Sequence, residues 1–388
     1  MGELEGKSVL IVGHAVQYGG AEVYIVDIIE ELKNVGACVT VLWCNEDIPI
    51  KLKQQFEALD VNVIYQRFGV WSPDSLFYNR RFSKVLESID CDIIFFNRTG
   101  GWGKYSDLIP TAKLKKRVPM VCVEHFHPPK FPIRWREPFR TLRNLVYCRF
   151  QARLFDRVIC MNDAAKSQFS SLGYGYKADS LYRVYNGIDT DRYVFDEAAA
   201  SVARQSLGLK NESITLFSGR LSSEKGPDVL LKAWSILPES QRLTRKLVLV
   251  GEGGMESELR SLAASLGILD SVIFAGFQKD ILPYLCAAEL VVMPSREESF
   301  GISLAEALSV GRYAVATNVG GIPELVKGVA GVELVDPDSP AQLAQGIGRQ
   351  LELVEQRGPE NFDATAHMKT HFSVRGMRNQ TIKLLAVE

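Results

Sequence analysis

The sequence has no long apolar run, no recognisable secretory signal and almost no net charge. No stretch approaches the roughly 18 to 20 consecutive apolar residues of a membrane-spanning helix, and the polar, acidic start MGELEGK is unlike a signal peptide. We therefore expect a cytoplasmic protein that does not span a membrane. Lys and Arg number 45 against 46 Asp and Glu, and 46% of the residues are hydrophobic, which excludes disordered and fibrous classes.

The seven cysteines include no CxxC pair. Several of them lie in apolar, strand-like runs, which predicts reduced, buried side chains and not a disulfide or zinc framework. They are Cys38, Cys44, Cys91, Cys122, Cys148, Cys160 and Cys286.

Short β-branched or aromatic runs alternate with amphipathic helical patterns along the whole chain. This alternation predicts an α/β fold with parallel sheets wrapped by helices. The candidate strands are Ser8–Val12, Val39–Cys44, Val61–Tyr65, Asp92–Asn97, Met120–Glu124, Arg157–Met161, Ile214–Ser218, Lys246–Val250, Val272–Ala275, Leu290–Pro294, Tyr313–Thr317 and Gly331–Val335. At roughly 100 to 200 residues per domain, the 388 residues predict two sequential Rossmann-like domains.

Turn formers and charges after Tyr185 predict a domain boundary there, with one domain over 1–186 and a second over 187–370. Residues 1–186 carry 25 Lys and Arg against 20 Asp and Glu, whereas the rest of the chain carries 20 against 26. A basic half and an acidic half imply different partners. The cleft between the domains is the expected binding site, because ligands of open α/β sheets bind beyond the carboxyl ends of the strands.

Two predicted strand-to-helix turns have features of phosphate sites. In the first, Gly19 and Gly20 precede a helix, and a glycine pair there lets backbone N–H groups approach a phosphate. A tight turn that simply needs glycine is the alternative. In the second, Gly219 and Arg220 are followed by Lys225, and two cations at a strand end can grip a diphosphate. A solvated surface loop is the alternative there.

The most specific pattern is PSREESFGISLAEAL over residues 294–308. A strand is predicted to end at Pro294 and a helix to begin at Gly301, which places Glu306 roughly 8 Å along the helix axis at about 1.5 Å per residue. Glu298 lies just before this helix, beside N–H groups that can bind an anion or a sugar hydroxyl. Two carboxylates staggered in this way suit a hydroxyl-rich ligand, whereas an ordinary helix start with an acidic first turn is the alternative.

The chain resembles the retaining glycosyltransferases of the GT-B fold in glycosyltransferase family 4. The resemblance covers nearly the full length and rests on four motifs in order: Gly19-Gly20-Ala21-Glu22, Gly219-Arg220 with Lys225-Gly226, Glu298-x7-Glu306, and Gly320-Gly321-Ile322-Pro323-Glu324. It implies two Rossmann-like domains facing a central cleft, with a nucleotide diphosphate sugar on the second domain and the acceptor on the first. It also implies that residues 371–388 form a helix that crosses back to the first domain.

The resemblance implies a role for each matching residue. Arg220 and Lys225 would bind the donor pyrophosphate, Glu306 the ribose and Glu298 the transferred sugar. The remaining donor-binding residues are Gly19, Gly20, Gly219, Phe300, Gly301 and Ile302. Phe277 and Gln278 follow a candidate strand where main-chain groups can read the edge of the base.

A histidine after the strand Met120–Glu124 occupies the position where many family members carry a histidine facing the donor sugar. Here the usual His-Asp becomes His125-Phe126-His127, which leaves open which histidine points inward. We select His125 as the catalytic candidate because it directly follows the strand. The alternative is a histidine that forms its hydrogen bonds within its own loop and has no role in catalysis.

The family implies transfer with retention at the anomeric carbon, in which Arg220 and Lys225 stabilise the charge of the leaving pyrophosphate. These cations make a metal unnecessary, so we expect neither a metal nor another cofactor. Asp189-Thr190-Asp191 matches the DxD pattern with which glycosyltransferases of a different fold hold a divalent cation. It lies in the interdomain segment, and an Asp-rich hinge is the preferred interpretation.

Residues 130–157 hold eight Lys and Arg against two acids, interleaved with aromatic residues. Such a segment could lie on an anionic membrane surface with its aromatic residues in the interface. An ordinary amphipathic helix is the alternative, and nucleic acid is a poor third choice because the whole chain is not basic. The membrane hypothesis predicts sedimentation with acidic but not neutral liposomes.

The sequence therefore predicts a cytoplasmic or peripheral-membrane hexosyltransferase with a saccharide or lipid-linked saccharide acceptor, as in polysaccharide or glycolipid biosynthesis. A loose resemblance of the first domain to mannosyltransferases of lipid-linked oligosaccharide assembly favours GDP-mannose over UDP-linked sugars. A non-hydrolysing nucleotide-sugar epimerase and a catalytically inactive nucleotide-binding scaffold are the alternatives.

Overall fold

The structure is a computed structural model, which describes residues 2–13, 19–44, 48–65, 84–85, 88–98, 118–125, 149, 152–171 and 175–386. Its contacts divide the chain into a first unit, Met1–Gly187 with Arg375–Glu388, and a second unit, Ile188–Val374. His127 and most of the segment 130–157 lie outside the described residues. Membrane binding by that segment stays a prediction.

The first unit contains a parallel sheet of seven described strands in the order β3-β2-β1-β4-β5-β6-β7. The strands are β1 (Ser8–Gly13), β2 (Cys38–Trp43), β3 (Asn62–Tyr65), β4 (Ile93–Arg98), β5 (Met120–Glu124), β6 (Arg157–Cys160) and β7 (Leu181–Arg183). Its central strands are buried along their whole length, for example β4 and β5. Continuous apolar runs form such strands because helices cover both faces of a parallel sheet.

Four described helices belong to the first unit: α1 (Gly20–Asn34), α2 (Ile50–Ala58), α3 (Asp163–Ser171) and, after the second unit, α13 (Val374–Leu385). Helix α1 buries Tyr24, Ile25, Ile28, Ile29 and Leu32, and Val23 on the opposite side is 42% exposed.

The carboxyl-terminal helix α13 packs on α1 through polar contacts. Arg378 donates hydrogen bonds to the carboxylates of Asp27 and Glu30, and the Tyr24 hydroxyl lies 2.7 Å from Thr381 Oγ1. The last turns of the chain therefore belong to the first unit, although the second unit precedes them in sequence.

The second unit contains a parallel sheet of six strands in the order β10-β9-β8-β11-β12-β13. The strands are β8 (Ser213–Ser218), β9 (Arg245–Val250), β10 (Val272–Gly276), β11 (Leu290–Met293), β12 (Tyr313–Thr317) and β13 (Val332–Val335). Around them lie α4 (Glu197–Ser206), α5 (Pro227–Ile236), α6 (Glu239–Leu243), α7 (Glu256–Ser265), α8 (Leu282–Ala287), α9 (Ile302–Ser309), α10 (Ile322–Leu325), α11 (Pro340–Arg357) and α12 (Phe362–His371).

Large apolar side chains fill the core of the second unit between the sheet and its helices. Trp234 on α5 is fully buried and donates from Nε1 to the Ser271 hydroxyl at 3.0 Å, so the indole is satisfied while its ring packs in the core. With the first unit, this gives two Rossmann-like halves and confirms the predicted α/β fold class. Each of the twelve predicted strands agrees with an observed strand to within one residue at either end.

The cysteines depart in part from the prediction of buried side chains. Cys122, Cys160 and Cys286 are buried, but Cys38 is exposed because it begins β2 at the edge of the core, and Cys44 is half-buried just after that strand. All six cysteines that the structure describes are free thiols.

Within the described ranges, no helix combines the length and the apolar character that a bilayer crossing requires.

Candidate functional site

The candidate residues lie at or after the carboxyl ends of strands, and several of them lie where the strand order reverses. In the first unit β1 lies between β2 and β4, and in the second β8 lies between β9 and β11. A crevice opens at such a switch point because the connections leave on opposite faces of the sheet. Lys225 follows β8 and Glu298 follows the adjacent β11, so the topology brings the two predicted motifs of the second unit to one place.

The loop after β8 contains both predicted cations. Arg220 is 53% exposed, and its guanidinium lies 3.4 Å from the equally accessible Glu224 carboxylate. Residues Ser223–Lys225 form a single 3-10 turn that ends at Gly226, which has a φ of 65°. Helix α5 starts directly afterwards with Pro227 in its first turn, where the missing N–H costs nothing.

Lys225 and Glu298 form an ion pair in this structure. Lys225 Nζ donates to Glu298 Oε2 at 2.6 Å, and the two side chains are 26% and 12% exposed. A charge pair that is mostly shielded from water is screened less than a surface pair. The residue assigned to pyrophosphate and the residue assigned to the sugar are therefore direct neighbours.

Two glycines allow the loops that carry this pair to approach each other. A Cβ on Gly226 would lie 2.2 Å from the carbonyl oxygen of Pro294, and a Cβ on Gly320 would lie 1.5 Å from the carbonyl oxygen of Glu298. Both glycines have positive φ, which side chains also disfavour. The loop after β12 lies directly against Glu298, and this close contact explains why the Gly320-Gly321 motif has glycine at position 320.

Arg296 joins three loops of the second unit. Its guanidinium binds the Asp228 carboxylate through two hydrogen bonds of 2.8 and 2.9 Å, and it also donates to Asp338 at 2.6 Å and to the Ser223 carbonyl at 2.6 Å. Its backbone N–H donates to the Glu224 carbonyl at 2.8 Å. These contacts fix the turn before Lys225 relative to the loop that carries Glu298.

Helix α9 begins at Ile302, one residue after the predicted start at Gly301. Gly301 itself has a φ of 95°. Phe300 is buried, with its ring centroid 5.7 Å from that of Phe372. The first N–H groups of a helix have no partner within the helix and bear partial positive charge, so this end suits an anion.

Glu306 on α9 accepts a hydrogen bond of 2.7 Å from the Tyr193 hydroxyl. Burial raises the pKa of the Glu306 carboxyl to about 7, although the bond from Tyr193 and the positive charge of Arg192 both act to lower it. Arg192 itself pairs with Asp280 at 3.1 Å. Glu306 is therefore a carboxyl that changes charge near neutral pH, which is a common property of functional sites.

Phe277 and Gln278 lie at the end of β10, as predicted. Phe277 is 67% exposed, and the Gln278 amide donates to the Ala275 carbonyl at 2.8 Å. Gly219, at the end of β8, donates its N–H to the Val250 carbonyl at 3.0 Å. The roles of these three residues in donor binding stay predictions.

The glycine turn of the first unit is held by a buried acid. Glu22, 3% exposed, accepts the N–H of Gly19 at 2.7 Å in a capping arrangement at the start of α1. Burial raises the pKa of Glu22. The Gly19 N–H thus already has a partner, while Gly20 opens the helix.

His125 lies directly after β5, beside the end of β4. Its Nε2 lies 2.8 Å from Asn97 Oδ1, and the Tyr24 ring meets it edge to face at 5.0 Å between centroids. Burial lowers the pKa of His125 to about 3, so the imidazole is neutral at physiological pH. The structure therefore positions His125 as a neutral group at a strand end.

The Asp189-Thr190-Asp191 segment forms a turn and begins the second unit. Asp189 Oδ1 accepts the N–H of Arg192 at 3.1 Å, while Thr190 is buried between the two exposed acids. Across the described ranges, no group of three or more His, Cys, Asp or Glu side chains is arranged to hold a metal ion.

Sequence reasoning missed three residues of these sites. Asn97 is the next-to-last residue of β4, and this position was a usable signal because the neighbouring β5 leads directly into His125. Arg296 stood inside the quoted motif without a role, and Tyr193 lies 113 residues before its partner Glu306. No local pattern connects residues that far apart.

Comparison with known proteins identifies the family. The model described as Glycosyltransferase Family 4 matches residues 18–192, and the model described as Glycosyl transferases group 1 matches residues 201–361. A D-inositol 3-phosphate glycosyltransferase from Acidothermus cellulolyticus is 36% identical over 190 residues, which are 46% of this chain and 42% of that protein. An uncharacterized glycosyltransferase from Methanocaldococcus jannaschii is 33% identical over 200 residues, half of each chain. The chain thus spans about half the length of the curated relatives it matches.

Solved structures share the fold over nearly the whole chain. Anabaena Alr3699/HepE in complex with UDP and glucose gives a TM-score of 0.79 at 23% identity, with 98% of this chain and 100% of that chain covered. WaaG, a glycosyltransferase involved in lipopolysaccharide biosynthesis, gives 0.74 at 18% identity, with 97% and 99% covered. Since the two family models together match most of its length, the chain belongs to the family 4, group 1 glycosyltransferases of the GT-B type.

Proposed function

We propose that this protein is a retaining glycosyltransferase that moves a hexosyl unit from a nucleotide diphosphate sugar to a saccharide or lipid-linked saccharide acceptor. The observation that carries the proposal is the Lys225–Glu298 pair at the switch point of the second sheet, next to the start of α9. A cation, a carboxylate and the amides at the start of a helix together suit a ligand that is anionic at one end and rich in hydroxyls at the other. Membership of a transferase family supports the same reaction.

The donor pyrophosphate is assigned to Arg220, Lys225 and the amino-terminal amides of α9. Arg220 is exposed and held by one weak, accessible pair, so it can turn to a phosphate at little cost. Lys225 exchanges Glu298 for a phosphate oxygen as the donor binds. These groups neutralise the leaving group without a metal, and metal independence is part of the proposal.

The sugar and ribose are assigned to carboxylates. Glu298, released by Lys225, accepts hydrogen bonds from hydroxyls of the transferred hexose, and Glu306 accepts them from the ribose. In the first unit, neutral His125 is the candidate for contact with the transferred sugar. A neutral imidazole suits a hydroxyl better than an imidazolium, which would compete for the phosphate.

The configuration at the anomeric carbon is retained because the acceptor attacks the same face from which the leaving group departs. The bond between the anomeric carbon and the β-phosphate oxygen breaks with its electron pair moving to the phosphate. The acceptor oxygen forms the new bond to the same face, and its proton passes to the departing phosphate. Donor-side cations contribute more to this step than a protein base does, because the developing charge is on the phosphate.

The donor is proposed to carry GDP or UDP. Mannosyl transfer from GDP-mannose is the favoured prediction from the sequence, whereas the fold neighbour Alr3699/HepE was solved with UDP and with UDP-glucose. Thermal unfolding of the protein with GDP, UDP and ADP separates these donors, since a ligand that binds only the folded state raises its midpoint. Equal midpoints with all three nucleotides would contradict the donor assignment.

The acceptor is proposed to be a saccharide, with an anionic group as a favoured feature. Residues 1–186 carry a net excess of five basic residues, and a relative is named for D-inositol 3-phosphate. Both favour a phosphorylated or lipid diphosphate acceptor, as in polysaccharide or glycolipid assembly on a cytoplasmic membrane face. A direct test compares transfer to a phosphorylated saccharide and to its dephosphorylated form at low and high salt.

One experiment separates transfer from the alternatives. Purified protein is incubated with a donor labelled in the sugar, with and without an acceptor panel, and the products and the anomeric configuration are read by NMR. The proposal expects acceptor-dependent product of retained configuration. A changed sugar without any acceptor would instead indicate an epimerase, and donor binding without turnover across the panel would indicate an inactive scaffold.

A further inference from the structure

Asn97 connects the amino-terminal turn of α1 to His125. It is the next-to-last residue of β4 and is fully buried. Its Oδ1 lies 2.8 Å from His125 Nε2, and its Nδ2 donates to the Ala21 carbonyl at 3.3 Å. A buried amide with both ends in use has one stable orientation.

That orientation determines where the imidazole proton is. The Ala21 carbonyl can only accept a hydrogen bond, so the NH2 group of Asn97 faces it and the amide oxygen faces His125. An amide oxygen can only accept as well, so Nε2 of His125 must carry the proton. In a neutral imidazole the other nitrogen, Nδ1, then holds a lone pair.

We propose that Asn97 is a positioning residue that locks His125 in its Nε2-protonated tautomer, so that Nδ1 accepts a hydrogen bond from a hydroxyl of the transferred sugar. The choice of ligand rests on the proposed function. The tautomer, however, is a property of the protein without ligand and can be measured on its own.

Other contacts hold the ring without choosing its tautomer. The titratable group that meets the ring from α1 is Tyr24, whose ring makes a T-shaped contact with it and whose hydroxyl bonds to Thr381 on α13. Glu124, the last residue of β5, precedes His125 and pairs with Arg98 at 2.5 Å, and successive side chains along a strand point to opposite faces. Asn97 is therefore the described group that bonds to an imidazole nitrogen.

The tautomer is tested by NMR on the full chain labelled with 15N only in histidine. Two-bond 15N–1H correlations give the tautomer of each of the five histidines, and His125→Gln identifies the signals of His125. We expect the Nε2-protonated form at pH 7. The Nδ1-protonated form, or a signal of the imidazolium at that pH, would overturn the proposal.

Two substitutions of Asn97 separate positioning from a structural role. Asn97→Leu keeps the approximate shape but removes the acceptor, so His125 should show mixed tautomers and turnover should fall about tenfold at every pH, as for one lost hydrogen bond. Asn97→Asp keeps an acceptor and adds a charge that stabilises the imidazolium. Its activity should be low in acid and recover toward that of the unmodified protein as the pH rises above the increased His125 pKa.

Thr381→Val is the matched control. It removes the hydrogen bond to Tyr24 on the far side of the ring and leaves Asn97 intact, so the His125 tautomer should not change. An equal change of tautomer in Thr381→Val and Asn97→Leu would overturn the positioning role, as would an unchanged tautomer in Asn97→Leu. If the tautomer responds as expected but no sugar is transferred by the unmodified protein, the proposed function fails and the tautomer assignment stands.

Discussion

Lys225 Nζ lies 2.6 Å from Glu298 Oε2, so the cation assigned to the donor pyrophosphate is bound to the carboxylate assigned to the donor sugar. Both side chains are largely shielded from water. Under the proposed assignments, a phosphate that enters would compete with Glu298 for Lys225, and the released carboxylate would become available for sugar hydroxyls. The two roles are coupled through this one pair.

Removal of the cation should impair chemistry more than folding. We expect Lys225→Ala to lower kcat by roughly 10²- to 10³-fold, a typical loss for one group that stabilises transition-state charge. Lys246→Ala is the control, because Lys246 lies in β9 away from its carboxyl end and donates to a carbonyl at the surface. Steady-state kinetics of both variants test this, and comparable activity in the two would remove Lys225 from the site.

Substitution of Glu298 should separate the sugar from the nucleotide. Glu298→Gln keeps the size of the side chain but frees Lys225 from its charged partner. We therefore expect binding of the free nucleoside diphosphate to stay equal or become tighter, while kcat/KM for the intact sugar donor falls. Isothermal titration gives the first quantity and initial rates give the second; a weaker nucleotide affinity would contradict the assignment of Glu298 to the sugar.

The sequence was sufficient for twelve of the thirteen described strands and for the strand-end motifs, because both depend on local pattern, but the three-residue β7 is too short to show such a pattern. Lys225 and Glu298 each stand in a short motif after an apolar run, and parallel topology then brings the ends of β8 and β11 together. The bond of Tyr193 to Glu306 and the contacts of Arg296 depend on exact loop conformation, which hydrophobic periodicity does not encode. Helix α1 illustrates the same limit: it buries Ile25 and Ile29, whereas the equally apolar Val23 lies on its exposed side.

We expect Glu306 to make nucleotide affinity depend on pH. Its pKa is about 7 in the free protein because burial disfavours the charge, and a carboxylate is the better acceptor for ribose hydroxyls. Nucleotide affinity should therefore increase by roughly tenfold from pH 6 to pH 8, since a carboxyl is about one-tenth ionised when the pH is one unit below its pKa and almost fully ionised when the pH is one unit above it. The nucleotide phosphate titrates in a similar range. The pH dependence of affinity measured for Glu306→Gln, which lacks the titrating carboxyl, is therefore subtracted from that of the unmodified protein.

Tyr193→Phe provides a second check on this dependence. The bond from Tyr193 acts to lower the Glu306 pKa, so its loss should raise that pKa and move the affinity profile to higher pH. A profile that stays in place, or moves toward acid, would show that another group controls it.

Arg296 should determine donor affinity through loop geometry. Arg296→Lys keeps the charge but cannot form the two-pronged contact with Asp228. We expect a loss of stability of about 2 kcal/mol, typical of hydrogen bonds to charged groups, and a higher KM for the donor. Thermal unfolding and donor kinetics measure these effects. Arg260→Lys, on an exposed helix pair with Glu256, is the control and should change neither quantity appreciably.

Gly320 should be intolerant of even one methyl group, because a Cβ there would lie 1.5 Å from the Glu298 carbonyl oxygen. Its φ of 55° adds a conformational cost of roughly 1–2 kcal/mol for any other residue. Gly320→Ala should therefore lower the unfolding midpoint and, by displacing the Glu298 loop, reduce turnover beyond what lost stability explains. Gly348→Ala is the matched control: Gly348 lies within α11, a Cβ added there would meet no atom within 4 Å, and alanine should stabilise the helix by up to about 1 kcal/mol. If both variants keep full activity at a temperature where both are folded, the close approach of the β12 loop does not position Glu298.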